Sequence, residues 1–476
     1  MPPIERPAGP VTERRAFSFQ DYCVERLNLY QSLSCLTEHW FRVRLSERTR
    51  LSGELGNRLV AQPTFSANPH PLIPVGNLTY IEAQHFLSLG KVRVDLGPLN
   101  VLVGPNGAGK TNLLRTIEFL GETARTDLVP AVNHFGGFNA LFFRGDLGRR
   151  PRRIRLAIGA QITRYASSNA ADEYELTFWE HSAKMPTGPV RLLQRDETFT
   201  FKRTRGQGRR ITITGSHVDI TGDPGEQPPT RLSLAAASSG LSTLRRLGKQ
   251  YGAEQIDELA TLLESFRVFE PDVAKARQPH RLLAGEPVHL AADAANLAAY
   301  VAWLAEAHPD VFEALVDDLR YITPGFTDLR LVPLGGSSPG VSIEIKETGL
   351  RGTTSLASAS FGTIRALALL AMLHDPDPPK LTCVEEVDHG LHPYALDRIV
   401  ERLRDASTRT QVLAATHSPA LVNRLSPDEL IVCERDTETG ASRIPAIAPA
   451  DVRTMYREDE LRLGELWFSG ALGGVI

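Results

Sequence analysis

The stretch GPNGAGKT, residues 104–111, constrains the fold more than any other part of the sequence. It matches the pattern G-x-x-x-x-G-K-[ST], follows an apolar strand pattern at residues 101–103 and opens a helix pattern from residue 110 to about residue 120. Glycines let backbone N–H groups turn inward around phosphate oxygens, and a helix start adds partial positive charge. The alternative, a glycine-rich turn with a chance lysine, is disfavoured by the flanking strand and helix patterns. The predicted nucleotide-binding residues are Gly104, Pro105, Asn106, Gly107, Ala108, Gly109, Lys110, Thr111 and Asn112.

The end of this loop also predicts a bound metal ion. In a loop of this pattern, a lysine at position 110 reaches the β- and γ-phosphates of a nucleoside triphosphate, and a threonine at 111 offers its hydroxyl to Mg²⁺. ATP and Mg²⁺ are therefore the predicted cofactors.

Two adjacent carboxylates, Glu385 and Glu386, follow a short apolar run at residues 381–384. Neighbours in a strand point to opposite faces, but carboxylates at the edge of an apolar core are costly unless positive charge offsets them. A Mg²⁺ ion and Lys110 would supply that charge. We predict that Glu385 lies near the metal, through a bound water, and that Glu386 orients the attacking water. Two solvated glutamates at an exposed strand end are the alternative.

The secondary-structure patterns predict an α/β fold with several lobes. Strand patterns dominate residues 152–214, helix patterns dominate residues 232–322, and helices and strands alternate from residue 362 onward, which is typical of a parallel sheet. The predicted parts are an N-terminal extension of unknown role (1–75), a first core part with the phosphate loop (76–150), a β-rich basic lobe (151–230), a helical insertion (231–325) and a second core part (326–476).

The composition is that of a soluble globular protein, with 42% hydrophobic and 23% charged residues and a net charge of -3. The four cysteines show no metal-binding spacing, which favours a reduced compartment. We see neither a signal peptide in the first 15 residues nor an apolar run long enough to cross a membrane. We expect a cytoplasmic protein without a membrane partner.

Four motifs in a fixed order resemble the ABC-class ATPase heads of the SMC/RecF kind, close to the stand-alone predicted AAA family ATPases that include the OLD-type enzymes. The resemblance covers roughly residue 78 to the C-terminus, and it implies a P-loop NTPase fold of the ABC type, with a parallel-sheet core, an antiparallel β lobe and a helical insertion. The motifs are the phosphate loop, a signature ASFGTIR at 359–365, an acidic strand CVEEVDHGLHP at 383–393 and a switch LAATHSP at 413–419.

The resemblance also implies a homodimer in which two heads enclose two ATP molecules. Ser360 and the backbone at Gly362 would touch the γ-phosphate of the nucleotide bound to the partner, although a plain helix N-cap is an alternative, compatible role for Ser360. His417 would be the switch that contacts the γ-phosphate and the catalytic water, with a structural histidine as the alternative. Asp388 and His392 would lie at the dimer interface. Lys110, Glu386 and His417 are thus the predicted catalytic residues.

The sequence departs from the family pattern in three places. Phe361 stands where a polar or acidic residue is usual, and Val387 and Asp388 replace the usual Pro-Glu. No glutamine is clearly placed for the loop that normally supplies a second metal contact, and Gln161 is the one weak candidate. The insertion also lacks sustained heptads, so we do not expect a long coiled-coil arm.

The segment 144–210 holds 15 Arg/Lys against 7 Asp/Glu and is a candidate DNA-binding surface. A solvated charged face is the alternative. Two functions follow: an ATPase in DNA repair, recombination or defence against phage, or an ATP-sensing subunit that controls a separate effector protein such as a nuclease. A transporter ATPase is a third option, disfavoured by the size of the insertions.

Overall fold

The computed structural model describes residues 77–145, 152–186, 188–203, 208–222, 232–246, 253–281, 288–335, 339–458 and 461–472. The predicted N-terminal extension, residues 1–75, lies outside them, and so do Cys23 and Cys35. The other two cysteines, Cys383 and Cys433, are buried and form no disulfide. No helix in the described ranges is long and apolar enough to cross a membrane.

The described part of the chain contains 19 strands and 13 α-helices. The strands are β1 (Leu78–Phe86), β2 (Leu89–Asp95), β3 (Leu99–Val103), β4 (Ile154–Ala160), β5 (Asp172–Met185), β6 (Gly188–Phe201), β7 (Arg209–Thr214), β8 (His217–Thr221), β9 (Leu232–Ser233), β10 (Arg267–Phe269), β11 (His280–Arg281), β12 (Phe326–Leu334), β13 (Gly340–Glu347), β14 (Thr353–Ser355), β15 (Leu381–Val384), β16 (Gln411–Thr416), β17 (Leu430–Val432), β18 (Glu434–Arg435) and β19 (Ser442–Arg443). The α-helices are α1 (Lys110–Arg125), α2 (Leu128–His134), α3 (Phe138–Leu141), α4 (Gly240–Thr243), α5 (Ala253–Ser265), α6 (Val273–Ala276), α7 (Leu297–Ala307), α8 (Pro309–Ile322), α9 (Phe361–Leu373), α10 (Ala395–Ala406), α11 (Pro419–Val422), α12 (Pro449–Glu458) and α13 (Leu463–Phe468).

A five-stranded parallel sheet, in the order β10-β15-β16-β3-β17, forms the centre of the fold. Every residue of β3, β15 and β16 is buried. Helices or another sheet cover both faces of a buried parallel sheet, which explains why these strands read as unbroken apolar runs. The carboxyl ends of parallel strands meet at one edge, so the segments after β3, β15 and β16 lie together there.

An antiparallel sheet of eight strands lies next to this centre, in the order β2-β1-β4-β5-β6-β7-β8-β9. Helix α1 packs between the two sheets: Leu113 and Leu120 share a buried cluster with Phe178 of β5 and Leu413 of β16. The rings of Phe119 and Phe178 stack at 5.4 Å. The predicted β lobe is therefore continuous with β1 and β2, which precede the phosphate loop.

The other face of the parallel sheet is covered by helices α7, α8, α9 and α10 and by a small antiparallel sheet of β11, β13, β12 and β14. Residues 363–371 of α9 are all buried, because the helix has neighbours on every side. Within the predicted helical insertion, β10 is a strand of the central sheet. Three residues are too short a run to show a strand period, so the sequence patterns around this segment predict helix.

A buried ionic cluster joins three of these helices. The carboxylate of Asp318, on α8, lies 2.7 Å from Nε2 of His374 and 3.1 Å from Nε of Arg402 on α10. Nε of Arg398 lies 3.5 Å from the same carboxylate. Asp318 is only 7% exposed, so its charge depends on these partners.

Candidate active site

The phosphate loop follows β3 directly and requires glycine at two positions. Gly107 has a φ of +80° and Gly109 a φ of +102°, in the left-handed region that residues with a side chain rarely adopt. The amide of Leu113 donates to the carbonyl of Gly109 at 3.0 Å, and helix α1 begins at Lys110. The loop and helix therefore have the geometry that the sequence pattern predicts.

The loop is held closely by the C-terminal part of the chain. A Cβ atom on Gly104 would lie 2.2 Å from the carbonyl oxygen of Cys433, and one on Gly109 would lie 2.1 Å from Oγ of Ser442. Ser442 contacts Ser88 with 2.6 Å between their Oγ atoms, and Nδ2 of Asn112 donates to Ser88 at 2.7 Å. The side chain of Asn112 is thus bonded to Ser88 next to the loop, and it also lines the cavity beside the loop.

The Lys110 side chain lies along its own loop. Its Nζ donates to the carbonyl oxygens of Gly104 at 2.7 Å and Pro105 at 3.0 Å. Burial lowers the pKa of Lys110, and the negative charges of Glu385 and Glu386 offset part of that decrease. The ammonium is therefore placed over the loop, where phosphate oxygens could replace the carbonyl acceptors.

Glu385 and Thr111 form the candidate metal site. Oγ1 of Thr111 donates to the Glu385 carboxylate at 3.0 Å, and burial raises the pKa of Glu385 against the effect of that bond. The described residues hold no cluster of three or more His, Cys, Asp or Glu side chains that could bind a metal alone. A hydroxyl and one carboxylate fit Mg²⁺, which takes few protein ligands and keeps waters and substrate phosphates as the others.

Glu386 has an unusual backbone and an exposed side chain. Its φ of +47° is in the left-handed region, which costs a residue with a side chain about 1–2 kcal/mol. Nη2 of the buried Arg365 donates to the carbonyls of Glu385 at 3.1 Å and Glu386 at 2.8 Å, which stabilises this turn. The Glu386 carboxylate lies 3.3 Å from Nδ1 of His389.

The switch segment follows β16. His417 is exposed, and the hydroxyl of Thr416 before it donates to the Asp388 carboxylate while accepting from the amide of Ser418 at 3.0 Å. These bonds join the switch to the segment after β15. A cavity of about 230 Å³ lies where the three segments meet. The predicted residues that line it are Asn106, Gly107, Gly109, Lys110, Thr111, Asn112, Glu385, Glu386 and His417.

The signature residues lie outside this cavity. Ser360 is the N-cap of α9 and accepts from the amide of Thr363 at 3.1 Å, which agrees with the cap interpretation. The ring of Phe361, 44% exposed, lies 5.3 Å from the ring of His389. A Cβ on Gly362 would lie 2.7 Å from the carbonyl oxygen of Gly390. The start of α9 therefore packs on the segment that follows the two glutamates, and not on its own phosphate loop.

Two residues near the site, Glu270 and Arg365, are not among the predicted site residues, and the candidate glutamine lies elsewhere. Gln161 directly follows β4 in the antiparallel sheet, where its backbone amide donates to the carbonyl of Asn77 at 2.9 Å, and it does not line the phosphate cavity. The residue that follows β10, next to β15, is Glu270, which lines a second cavity of about 400 Å³ with Thr111 and Glu385. Arg365 was the other omission. Its position in the signature motif was a signal, but its partners are distant in sequence.

Several described cations of the basic segment are engaged by other protein groups. Arg195 is fully buried and donates to the carbonyls of Gly215 and Ser238, each at 2.8 Å. Arg155 pairs with Glu82 and Glu175, while Arg191 and Lys202 also pair with glutamates. These cations are thus held by groups of the protein, although of their carboxylate partners only Glu82 lies outside the segment whose charges were counted.

The fold and the phosphate loop define an α/β P-loop protein with a parallel-sheet core, an antiparallel sheet and covering helices, which confirms the predicted fold class. A family model described as "AAA domain, putative AbiEii toxin, Type IV TA system" matches residues 99–183 and 232–423, more than half of the chain. The chain belongs to this family of AAA-domain proteins, whose fold is that of a nucleotide-binding ATPase.

Solved structures similar to the chain are SMC heads of low sequence identity. One is an SMC head bound to the C-terminal winged-helix domain of ScpA (15% identity, TM-score 0.43, 77% of this chain and 97% of that chain). A second is an Smc head with an extended coiled coil bound to the C-terminal domain of ScpA, from Pyrococcus furiosus (13%, 0.43, 80% and 98%). A third is the SMC head domain from Thermotoga maritima (17%, 0.36, 77% and 97%). A comparison with curated protein sequences finds no match.

Proposed function

We propose that this chain is a cytoplasmic ATPase that hydrolyses ATP to ADP and phosphate and works as a homodimer closed around ATP. One observation carries the proposal: Lys110, Thr111, Glu385, Glu386 and His417 line the same cavity. They come from three segments that are far apart in sequence and meet at one edge of the parallel sheet.

The phosphate loop and Lys110 would hold the β- and γ-phosphates. The backbone N–H groups of the loop and the start of α1 favour an anion, and the ammonium of Lys110 adds a full positive charge. The hydroxyl of Thr111 and the carboxylate of Glu385 would hold Mg²⁺, which neutralises charge on the phosphates. Bound positive charge also removes the cost of the half-buried Glu385 carboxylate.

Glu386 is the proposed base for the chemical step. Its carboxylate is exposed on the cavity side of the turn held by Arg365. It would orient a water molecule and accept its proton as the water oxygen bonds to the γ-phosphorus, and the bond to the bridging oxygen of ADP breaks. His417, on the same cavity, would donate a hydrogen bond to the γ-phosphate oxygens.

The position of the signature supports a dimer. Ser360 and Gly362 lie at the start of α9, which is an anion-binding feature, but they do not line the cavity of their own chain. In a dimer closed around ATP, each chain would present these residues to the nucleotide on the other, so that the site is complete only when ATP is bound.

Two substitutions test the ATPase proposal. Lys110→Ala should abolish ATP binding, because a full charge at the phosphates is lost. Glu386→Gln keeps the size of the side chain but not its basicity, so it should bind ATP normally, hydrolyse it at least about 100-fold more slowly and accumulate as dimers. Binding is measured by calorimetry, turnover by phosphate release and dimers by light scattering with and without ATP.

Glu313→Gln is the matched control, because Glu313 is exposed on α8 and does not line the cavity. It should behave like the wild-type protein in all three assays. A Glu386→Gln protein with wild-type turnover would contradict the assignment of the base.

The process that the ATPase serves is the finer part of the proposal. The 15 Arg/Lys against 7 Asp/Glu in residues 144–210 support a role in DNA repair, recombination or defence against phage. The alternative is an ATP-sensing subunit that controls a separate effector protein. The paired cations of the described lobe favour this alternative, and the family description, with its toxin and type IV toxin–antitoxin system, is compatible with it.

The ATPase rate with and without duplex DNA, over a series of salt concentrations, separates the two roles. A DNA-engaged ATPase is stimulated, and the stimulation fades as salt rises, because phosphate contacts release counterions. A rate that DNA does not change at any salt concentration contradicts the DNA role and favours an effector protein.

A further inference from the structure

A hairpin near the C-terminus, β18 and β19, lies against the phosphate loop and is bonded to Ser88 in the turn between β1 and β2. The amide of Ser442 donates to the carbonyl of Ser88 at 2.8 Å, in addition to the contact between their hydroxyls. The carboxylate of Asp436 accepts from the amides of Glu438 and Thr439 at 3.0 and 2.9 Å, which fixes the turn between the strands. The hairpin thus holds its side chains in defined positions relative to the loop.

Arg435 is the residue of this hairpin that faces the loop. Its Nη1 lies 3.8 Å from the point that a Cβ atom on Gly107 would occupy. The side chain is exposed, and no described residue forms a hydrogen bond or an ion pair with it. Two other arginines near this edge of the fold do have partners: Arg365 donates to carbonyls, and Arg443 pairs with Asp436. An unpaired guanidinium over a phosphate-binding loop is available to an anionic ligand.

Arg435 also lines two adjoining cavities. It lines the phosphate cavity of about 230 Å³ and a neighbouring one of about 380 Å³. The neighbouring cavity has an apolar wall that includes Leu87, Phe142 and Phe143, and its size is within the range of small-molecule sites. Ser88 and Asn112 line both cavities as well, so the two spaces meet. If a nucleotide occupied both cavities, Arg435 would lie beside the part of its phosphate chain that joins the nucleoside to the terminal phosphates.

We propose that Arg435 is a nucleotide-binding residue that contacts the phosphate chain at the point where it leaves the phosphate loop for the neighbouring apolar cavity. This inference rests on the proposed ATP binding and adds a ligand contact from outside the four sequence motifs. A guanidinium donates two parallel N–H groups to phosphate oxygens, whereas an ammonium acts as a single point charge. The fork geometry of Arg435 should therefore contribute beyond its charge.

Binding of ATP, ADP and tripolyphosphate to four proteins tests the inference: wild type, Arg435→Ala, Arg435→Lys and Arg453→Ala. Arg453 is the matched control, because it is an exposed arginine paired with Asp428 and lines neither cavity. Arg435→Ala should weaken ATP and ADP by roughly 10- to 100-fold, the range for hydrogen bonds to charged groups. Arg435→Lys should retain part of the affinity, and Arg453→Ala should stay within about twofold of wild type. Unfolding curves check that all four proteins are folded.

The ligands and the controls separate the possible failures. If wild type binds ATP but Arg435→Ala binds it equally well, the role of Arg435 is overturned and the ATPase proposal is not. If Arg435→Ala weakens ATP but leaves tripolyphosphate unchanged, Arg435 contacts the nucleoside, which overturns the phosphate contact. If wild type binds none of the three ligands, the proposed function fails and this inference fails with it.

Discussion

Replacing Gly104 by alanine should destabilise the fold through a contact that lies far away in sequence. The added Cβ would lie 2.2 Å from the carbonyl oxygen of Cys433 and 3.0 Å from its carbonyl carbon, whereas ordinary contacts begin at 3.4 Å. Backbone atoms cannot swing away as the end of a side chain can. The chain after β17 must therefore move by about 1 Å. This movement would break the hydrogen bond from the Cys433 amide to the Val103 carbonyl, which is 2.7 Å long.

The size of the effect follows from three contributions. Inserting a methyl group into a packed site costs about 1–3 kcal/mol, and losing one backbone hydrogen bond costs about 1 kcal/mol. Alanine also restricts the unfolded chain, which stabilises the folded state by about 0.4–1 kcal/mol. We expect Gly104→Ala to lower the free energy of unfolding by about 1–3.5 kcal/mol, and to weaken ATP binding because the loop is displaced.

Urea unfolding followed by fluorescence measures this change, with Gly352→Ala as the control. Gly352 has nothing within 4 Å of its Cβ position and no left-handed φ, so its substitution should be neutral or slightly stabilising. A Gly104→Ala protein within about 0.5 kcal/mol of wild type would refute the reasoning, since it would mean that the backbone at Cys433 yields without cost.

Two further predictions concern stability away from the cavity. Asp318→Asn should lower the free energy of unfolding by about 3 kcal/mol, because His374, Arg398 and Arg402 lose a buried anion, while ATP affinity measured by calorimetry stays unchanged. In Glu82, burial raises the pKa, but hydrogen bonds from Arg155 and Arg93 outweigh it and hold the pKa below its ordinary value of 4.5. A lowered pKa stabilises the fold above that value and loses the effect as pH falls through the folded-state pKa. Glu82→Gln should thus be less stable than wild type by up to about 1 kcal/mol at pH 7, in a partly exposed site, and the difference in unfolding midpoints should vanish in acid.

The local parts of the site could be predicted from sequence. The phosphate loop needs left-handed glycines and a helix that begins at Lys110. The eight consecutive residues 104–111 determine both features. The buried strands β15 and β16 appear as apolar runs, so the positions of Glu385 and His417 at their ends could be placed as well. Each of these features depends on residues that are close in sequence.

The remaining features depend on pairings that leave no local pattern. Strand β10 has three residues, and only its pairing with β15 makes it part of the central sheet and brings Glu270 beside Glu385. Arg435 faces the phosphate loop because a hairpin more than 300 residues away is bonded to Ser88. The charge count of residues 144–210 likewise could not show that Arg195 is buried or that Arg155 has two carboxylate partners.

The two adjacent glutamates illustrate how the backbone gives like residues different surroundings, which suit the different roles proposed for them. A continued strand would point Glu385 and Glu386 to opposite faces of the sheet. The strand instead ends at Val384, and the left-handed turn at Glu386, held by Arg365, leaves both carboxylates on one cavity. Glu385 stays half-buried against the hydroxyl of Thr111, while Glu386 is exposed to solvent. A metal ligand benefits from burial beside a second oxygen donor, and a base must reach water, so the left-handed turn at one residue suits the two glutamates to the two roles proposed for them.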